Sequence, residues 1–303
     1  MRNQRFAVYA WVVLAYNVLV VLWGAFVRAT GSGAGCGNHW PLCNGGVVPH
    51  GPTVQTIIEF THRASSGLAL IGVVGLIVWA YRAFPRKHPV RMGATLAVVF
   101  MLTEALLGAA LVLLEHVAQN KSAGRGISIS LHLVNTLTLL AVLALTGWWA
   151  GGRPGLDVQR WRRLAWLLIG ALTGFAVLGI SGAIAALGDT LFPVTSLAVG
   201  MAQDTAPGAH IFVRLRVLHP VIAVAVGSFL LFSVWKAVKL RPDPKRQWAA
   251  LAITMLAFVQ LGLGALNIGL LAPVWMQIVH LFVADGLWIT LVLYSASAIA
   301  ESR

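Results

Sequence analysis

Apolar residues along this chain come in long runs, each closed by a short polar or basic cluster. The runs fall near 6–28, 57–82, 92–115, 127–149, 162–187, 212–238, 248–270 and 275–299. Each approaches or exceeds the roughly 20 residues that a helix needs to cross a hydrocarbon core of ~30 Å. Eight such runs predict an all-α membrane protein of eight transmembrane helices. The first, Phe6 to Val27, holds 22 residues without a charge. It is too long for a typical signal h-region and is read as a span. From Gln247 to Ala284 there is no Asp, Glu, Lys or Arg. That stretch exceeds one crossing, and the division is placed at Ala272-Pro273 because proline disfavours helix continuation.

Composition agrees. Of 303 residues 58% are hydrophobic and 10% charged, with a mean hydropathy of +0.82; soluble domains carry about 25% charged residues. No Pro/Ser tract or polar tail divides the chain, which predicts one compact membrane domain. The 31 glycines suit close approach of membrane helices. The net charge of +13 invites a nucleic-acid reading, but the basic residues sit in clusters between spans, so the expected partner is a lipid membrane and no nucleic acid.

Those clusters set an orientation. Arg2 and Arg5 precede span 1; Arg82, Arg86, Lys87 and Arg91 surround the second connection. Arg153, Arg160, Arg162 and Arg163 surround the fourth, Lys236, Lys239, Arg241, Lys245 and Arg246 the sixth, and Arg303 ends the chain. All fall on one side, against Lys121 and Arg125 in the opposite loops. Both termini are therefore expected to be cytoplasmic, in the cell membrane. Arg28, Arg63, Arg214 and Arg216 lie at the outer ends of spans 1, 2 and 6.

A four-span unit recurs. Gly24 and Gly33 match Gly179 and Gly188 at an offset of 155, and His62 matches His219 at 157. Glu104 with Gly108-Ala109 matches Gln260 with Gly264-Ala265 at 156, and His132 matches His280 at 148, across a shorter loop. The order favours duplication over coincidence. It predicts two pseudo-symmetric four-helix bundles, 1–150 (with an outer loop 29–56) and 151–303, related by an axis along the membrane normal.

His62, His132, His219 and His280 all lie a few residues inside the outer end of a span. A lone intramembrane histidine is often a hydrogen-bonded packing residue. Two per bundle on alternate helices can instead face each other across a core and give one haem iron two axial imidazoles. Zinc fits less well, since it wants about four ligands and each bundle offers two His and no Cys. Arg28, Arg63, Arg214 and Arg216 are candidates for the haem propionates, against the plainer reading that they snorkel to lipid phosphate. His39, His50, His88, His116 and His210 fall in loops or at span ends and are given no function.

Glu59 precedes His62 by three residues and Arg63 by four, so the three share a helical face. A carboxylate there could relay protons, stabilise a developing cation or bind a hydroxyl; it could also be an interfacial acid paired with Arg63. The repeat puts Arg216 at the corresponding place, so the two bundles differ where a catalytic group would matter. Glu104 and Asp285 are further intramembrane acids, proton-linked or simply hydrogen-bonded, and rank below Glu59. Cys36 and Cys43 share the first outer loop, where an oxidising space favours a disulfide. A metal site with His39 and His50 is less favoured, and a labile, redox-active bridge is a third reading.

These features resemble the haem A synthase family over the whole chain. The resemblance rests on Gly31-Ser32-Gly33, on Cys36 through Trp40-Pro41-Leu42-Cys43, on the segment Glu59-Phe60-Thr61-His62-Arg63 and on the four intramembrane histidines. Gly37-Asn38-His39 departs from the more usual loop pattern. The resemblance implies oxidation of the C8 methyl of haem O to a formyl, giving haem A for terminal oxidases. It implies that His62 and His132 hold the substrate haem, with Glu59 catalytic, and that His219 and His280 ligate a haem b cofactor. Expected partners are haem O, a haem O synthase and an electron acceptor, and a homo-oligomer is a further arrangement open to the chain. Two other classes remain: a di-haem b-type cytochrome exchanging electrons with quinol, and a haem carrier.

Overall fold

With no water in a hydrocarbon core to satisfy peptide groups, an apolar run of this length must bond its backbone internally, and helix is the form that does so within one segment. The computed structural model describes residues 2–301, so Arg303 of the basic clusters lies outside the described residues. The described residues form α1 (Arg2–Ala29), α2 (Val54–Ala83), α3 (Pro89–Leu113), α4 (Ala123–Ala150), α5 (Arg162–Leu191), α6 (Leu197–Thr205), α7 (Ile211–Arg216), α8 (Leu218–Leu240), α9 (Pro244–Gly269) and α10 (Val274–Ala298). Counting α7 with α8 as Ile211–Leu240, eight helices are long and apolar enough to span a membrane.

Local chemistry sets the boundaries. Thr53, Ser122 and Asp243 cap α2, α4 and α9 by accepting a backbone N–H from Thr56, Arg125 and Arg246. Prolines occupy the first turns of α3 and α9, where a missing N–H is harmless. The expected break between the last two spans is present. Leu271 and Ala272 take left-handed φ values of 61° and 54°, and Pro273 stands at the N-cap of α10.

Two elements differ from the sequence reading. The connection after α5, expected as loop, contains α6, started by the Ser196 hydroxyl accepting the Val199 N–H. Nine residues are too few to register as a span. The span expected over 212–238 is interrupted at Val217, between α7 and α8. Pro220 is the cause: it offers no N–H to the carbonyl of Arg216 four residues earlier, and its ring crowds that carbonyl.

The helices pack as two rings of four. In one, α1 contacts α2, α2 contacts α3, α3 contacts α4 and α4 returns to α1; in the other the order is α5, α8, α9, α10 and back to α5. Ring order places α2 diagonally across from α4, and α8 across from α10. The rings meet along α1 and α4 on one side and α5 and α10 on the other. A continuous apolar core crosses that seam, with Leu140 and Leu143 of α4 buried together with Leu168 of α5 and Leu291 of α10. Polar ties accompany it: Trp288 Nε1 donates to the Leu137 carbonyl at 2.7 Å. The Arg28 guanidinium reaches from α1 to the Ala186 carbonyl at 2.9 Å, Thr190 Oγ1 at 3.0 Å and Gln277 Oε1 at 2.9 Å. Large apolar residues such as Leu19, Ile71, Val221 and Phe258 are exposed on the outside, as a surface solvated by lipid requires.

Candidate functional site

The four intramembrane histidines share one packing relation. Each ring lies against a glycine of the preceding long helix. A Cβ added at Gly24 would stand 2.9 Å from His62 Cε1, and at Gly108 3.7 Å from His132 Nε2. At Gly182 it would stand 3.0 Å from His219 Cε1, and at Gly264 3.4 Å from His280 Cε1. This corrects the register of the repeat. The counterpart of Gly24 is Gly182, because Gly179 packs on Leu133 and Leu137 of α4 instead. The sequence offered several glycines at nearly the same offset, and only the contact tells them apart.

The diagonal placement of α2 and α4 brings His62 within electrostatic reach of His132, and that of α8 and α10 brings His280 within reach of His219. One histidine of each pair is anchored through Nδ1: His132 to Glu104 Oε1 at 3.0 Å, His219 to Ser181 Oγ at 2.9 Å. In the other two, Nδ1 is buried with no hydrogen-bond partner. Buried ring nitrogens are normally partnered. Two imidazoles facing one core, with glycine beside each ring and an unpartnered nitrogen in each pair, fit a haem held by axial ligands. Among the described residues no group of three or more His, Cys, Asp and Glu gathers as a metal site would require, so the donor set matches a two-ligand group better than a four-ligand ion.

Over the first ring lies a loop closed by the Cys36–Cys43 disulfide. Glu59 is buried beneath it. Its Oε2 accepts the Cys36 N–H at 2.8 Å, and its Oε1 accepts Arg63 Nε at 3.1 Å and Arg63 Nη2 at 2.5 Å. Arg63 Nη1 in turn donates to the carbonyls of His39 and Leu42, each at 2.7 Å. Thr56 Oγ1 adds a bond to the Gly35 carbonyl at 2.8 Å. The loop approaches α2 so closely that a Cβ at Gly35 would collide with the Gln55 backbone. Glu59 is thus a fixed carboxylate one helical turn from His62, joined to the disulfide by a single hydrogen bond.

The second ring inverts the charges. Arg216, at the place corresponding to Glu59, donates from Nε to Asp204 Oδ1 at 2.7 Å and from Nη2 to Gln203 Oε1 at 2.9 Å, both on α6; its Nη1 lies 3.4 Å from Asp189 Oδ1 on α5. The cation is on the histidine's span, with one acid, Asp204, on the covering helix α6 and the other, Asp189, near the end of α5. Arg214 Nη2 donates to the Pro207 carbonyl at 2.6 Å. The four arginines expected near propionates are therefore each tied to acceptors within the protein: Arg63 and Arg214 to loop carbonyls, Arg28 across the seam and Arg216 to two aspartates. Sequence reading missed Ser181, Asp189, Asp204, Asn135 and Thr136, since nothing in their local spacing marks them.

Three of the remaining histidines have structural duties. His88 and His210 accept backbone N–H groups at the starts of α3 and α7, and His116 Nδ1 meets Ser128 Oγ at 2.8 Å. Asp285 is buried in α10 with Oδ2 unpartnered.

Fold and site define a class: a multi-pass membrane protein with an intramembrane histidine pair in each of two helix rings and a disulfide-closed loop over a buried carboxylate. Residues 7–292 match the family described as cytochrome oxidase assembly protein. The chain is 31% identical over 274 residues to the heme A synthase of Staphylococcus carnosus, covering 88% of this chain and 84% of that protein. It is 27% identical over 244 residues to the heme A synthase of Exiguobacterium sibiricum, covering 80% and 79%. It is also 51% identical over 296 residues to a protoheme IX farnesyltransferase of Thermus thermophilus, covering 98% of this chain but 49% of that protein, so the chain spans about half the length of this relative. The chain belongs to the haem A synthase family of cytochrome oxidase assembly proteins.

Proposed function

We propose that this chain acts in haem A biosynthesis as an oxidoreductase, converting the C8 methyl of haem O to a formyl. The observation that carries the reading is the inequality of the two histidine pairs: a buried carboxylate, Glu59, stands one turn from His62, whereas an arginine bound to two aspartates stands before His219. Relatives named heme A synthase align along most of the chain. The farnesyltransferase named for the Thermus relative acts on protohaem IX, which makes a haem O synthase the natural partner and a farnesylated haem the natural substrate.

In this reading His62 and His132 hold the substrate haem, and His219 and His280 hold a haem b. Oxidation of the methyl passes through an alcohol and a hydrated aldehyde that loses water. From methyl and water to formyl the change releases four protons and four electrons. Glu59, held by Arg63 and the Cys36 N–H, takes up a proton at its carboxylate or stabilises developing positive charge beside the ring. His219 and His280 would hold a haem b, which would supply one-electron redox chemistry. The disulfide, bonded to Glu59 through Cys36, is a second route for electrons. The basic side of the chain is cytoplasmic in the cell membrane and the disulfide loop faces outward.

Membranes containing the protein, given haem O, test the reading through the masses of the extracted haems. Formyl or hydroxymethyl haem is expected. Haem b alone would point to an electron-transfer cytochrome, and unchanged, exchangeable haem O to a carrier.

The glycine contacts give a further expectation. Gly182→Leu pushes a branched side chain into the His219 ring and removes most of the haem retained by the second ring, while Gly227→Leu, where a Cβ would meet nothing within 4 Å, leaves it in place. Haem absorbance per protein after purification reads the difference.

A further inference from the structure

Glu104 is the centre of a polar cradle that the second ring lacks. Its carboxylate accepts three donors: His132 Nδ1 at 3.0 Å, Asn135 Nδ2 at 2.6 Å and Thr136 Oγ1 at 2.5 Å. Asn135 is itself fixed, because its Oδ1 accepts Thr103 Oγ1 at 2.6 Å and its Nδ2 reaches the Phe100 carbonyl at 2.9 Å. Asn135 and Thr136 stand three and four residues after His132, one turn along α4, so ring, amide and hydroxyl converge on the acid that α3 inserts beside them. The carboxylate thus has one rigid geometry. It fixes the His132 tautomer with the proton on Nδ1 and leaves Nε2, beside Gly108, as the free donor atom.

The equivalent place in the second ring holds Gln260, a neutral amide. Its Nε2 lies 3.1 Å from His280 Nε2, and both Gln260 Oε1 and His280 Nδ1 lack partners. His219 is anchored by the Ser181 hydroxyl. Only one of the four histidines, His132, carries a carboxylate on its ring N–H. A carboxylate in that position orients a ligating imidazole and raises its electron-donating strength.

We propose that Glu104 is a positioning residue that makes His132 the strongest donor of the four, so that the iron held by the first ring has a lower reduction potential than the iron held by the second. This rests on the two-haem reading above. Its consequence is direction: an electron passing from the first iron, which is oxidised, to the second, which is reduced, moves downhill.

The test is a spectroelectrochemical titration of the full-length protein with both rings loaded. Glu104→Gln, the residue the second ring carries, is expected to shift the reduction equilibrium of the first-ring haem about tenfold toward the reduced form, about 59 mV for one electron, with the second-ring haem unmoved. Thr136→Val removes a competing donor from the oxygen that His132 uses. It is expected to shift the same haem in the opposite direction, which a merely supporting role for the cradle would not do. Thr136→Val also decides the matter if Glu104→Gln does not fold. First-ring haem that remains bound by both histidines, shown by its low-spin signal, with a potential unchanged in these variants would overturn this inference alone. If the unaltered protein binds only one haem, or if the His62→Ala protein still binds two, the two-haem reading with His62 as a first-ring ligand fails and this inference fails with it.

Discussion

Glu59→Gln is expected to slow the conversion of haem O by about 10²-fold or more, the usual range for loss of a positioned acid–base group. The haem held by His219 and His280 should be retained in full. Two contributions have to be separated, because Glu59 also fastens the disulfide loop. Glutamine keeps the size of the side chain but has a single acceptor oxygen, so it cannot satisfy both the Cys36 N–H and the Arg63 guanidinium as the carboxylate does. Thr56→Val loosens the same loop by removing the bond to the Gly35 carbonyl without touching the acid. If Glu59 acts chemically, Thr56→Val changes the rate only a few-fold. Equal losses in both variants would reduce Glu59 to a loop fastener.

His280→Ala is expected to weaken the retained haem by about 10²-fold or more and to stop net oxidation of haem O. Even outer-shell partners of metal-ligating histidines account for 10- to 100-fold in affinity, and an axial ligand accounts for at least that. Ser181→Ala, which removes only the anchor of His219, should fall at the lower end, about tenfold. The two pairs are in separate rings, so neither substitution should alter the haem at His62 and His132. Haem content per chain, measured on protein purified through several buffer exchanges, reads both variants.

Much of the frame was legible in the sequence because lipid imposes it. Eight crossings follow from run length, and the turn before α10 follows from Pro273. The bond between Glu59 and Arg63 follows from i,i+4 spacing on a helix. What escaped depends on partners far apart in the chain. Arg28 meets Gln277 across 249 positions and Arg216 meets Asp189 across 27, and no local period announces either. The interruption at Val217 was written in Pro220 but concealed by the long apolar run that follows it. The register Gly24–Gly182 rested on which glycine touches a ring, a matter of packing. Glu104 was visible as an intramembrane acid; the cradle that gives it a direction needed α3 and α4 side by side.

The central claim is that the first ring holds the haem that reacts and the second the haem that stays. The most direct measurement is the mass of the haems that copurify with the His62→Ala/His132→Ala protein made in the presence of haem O. The account predicts haem b alone, at one per chain, with no haem O, hydroxymethyl or formyl product. Recovery of formyl or hydroxymethyl haem from that protein would contradict it.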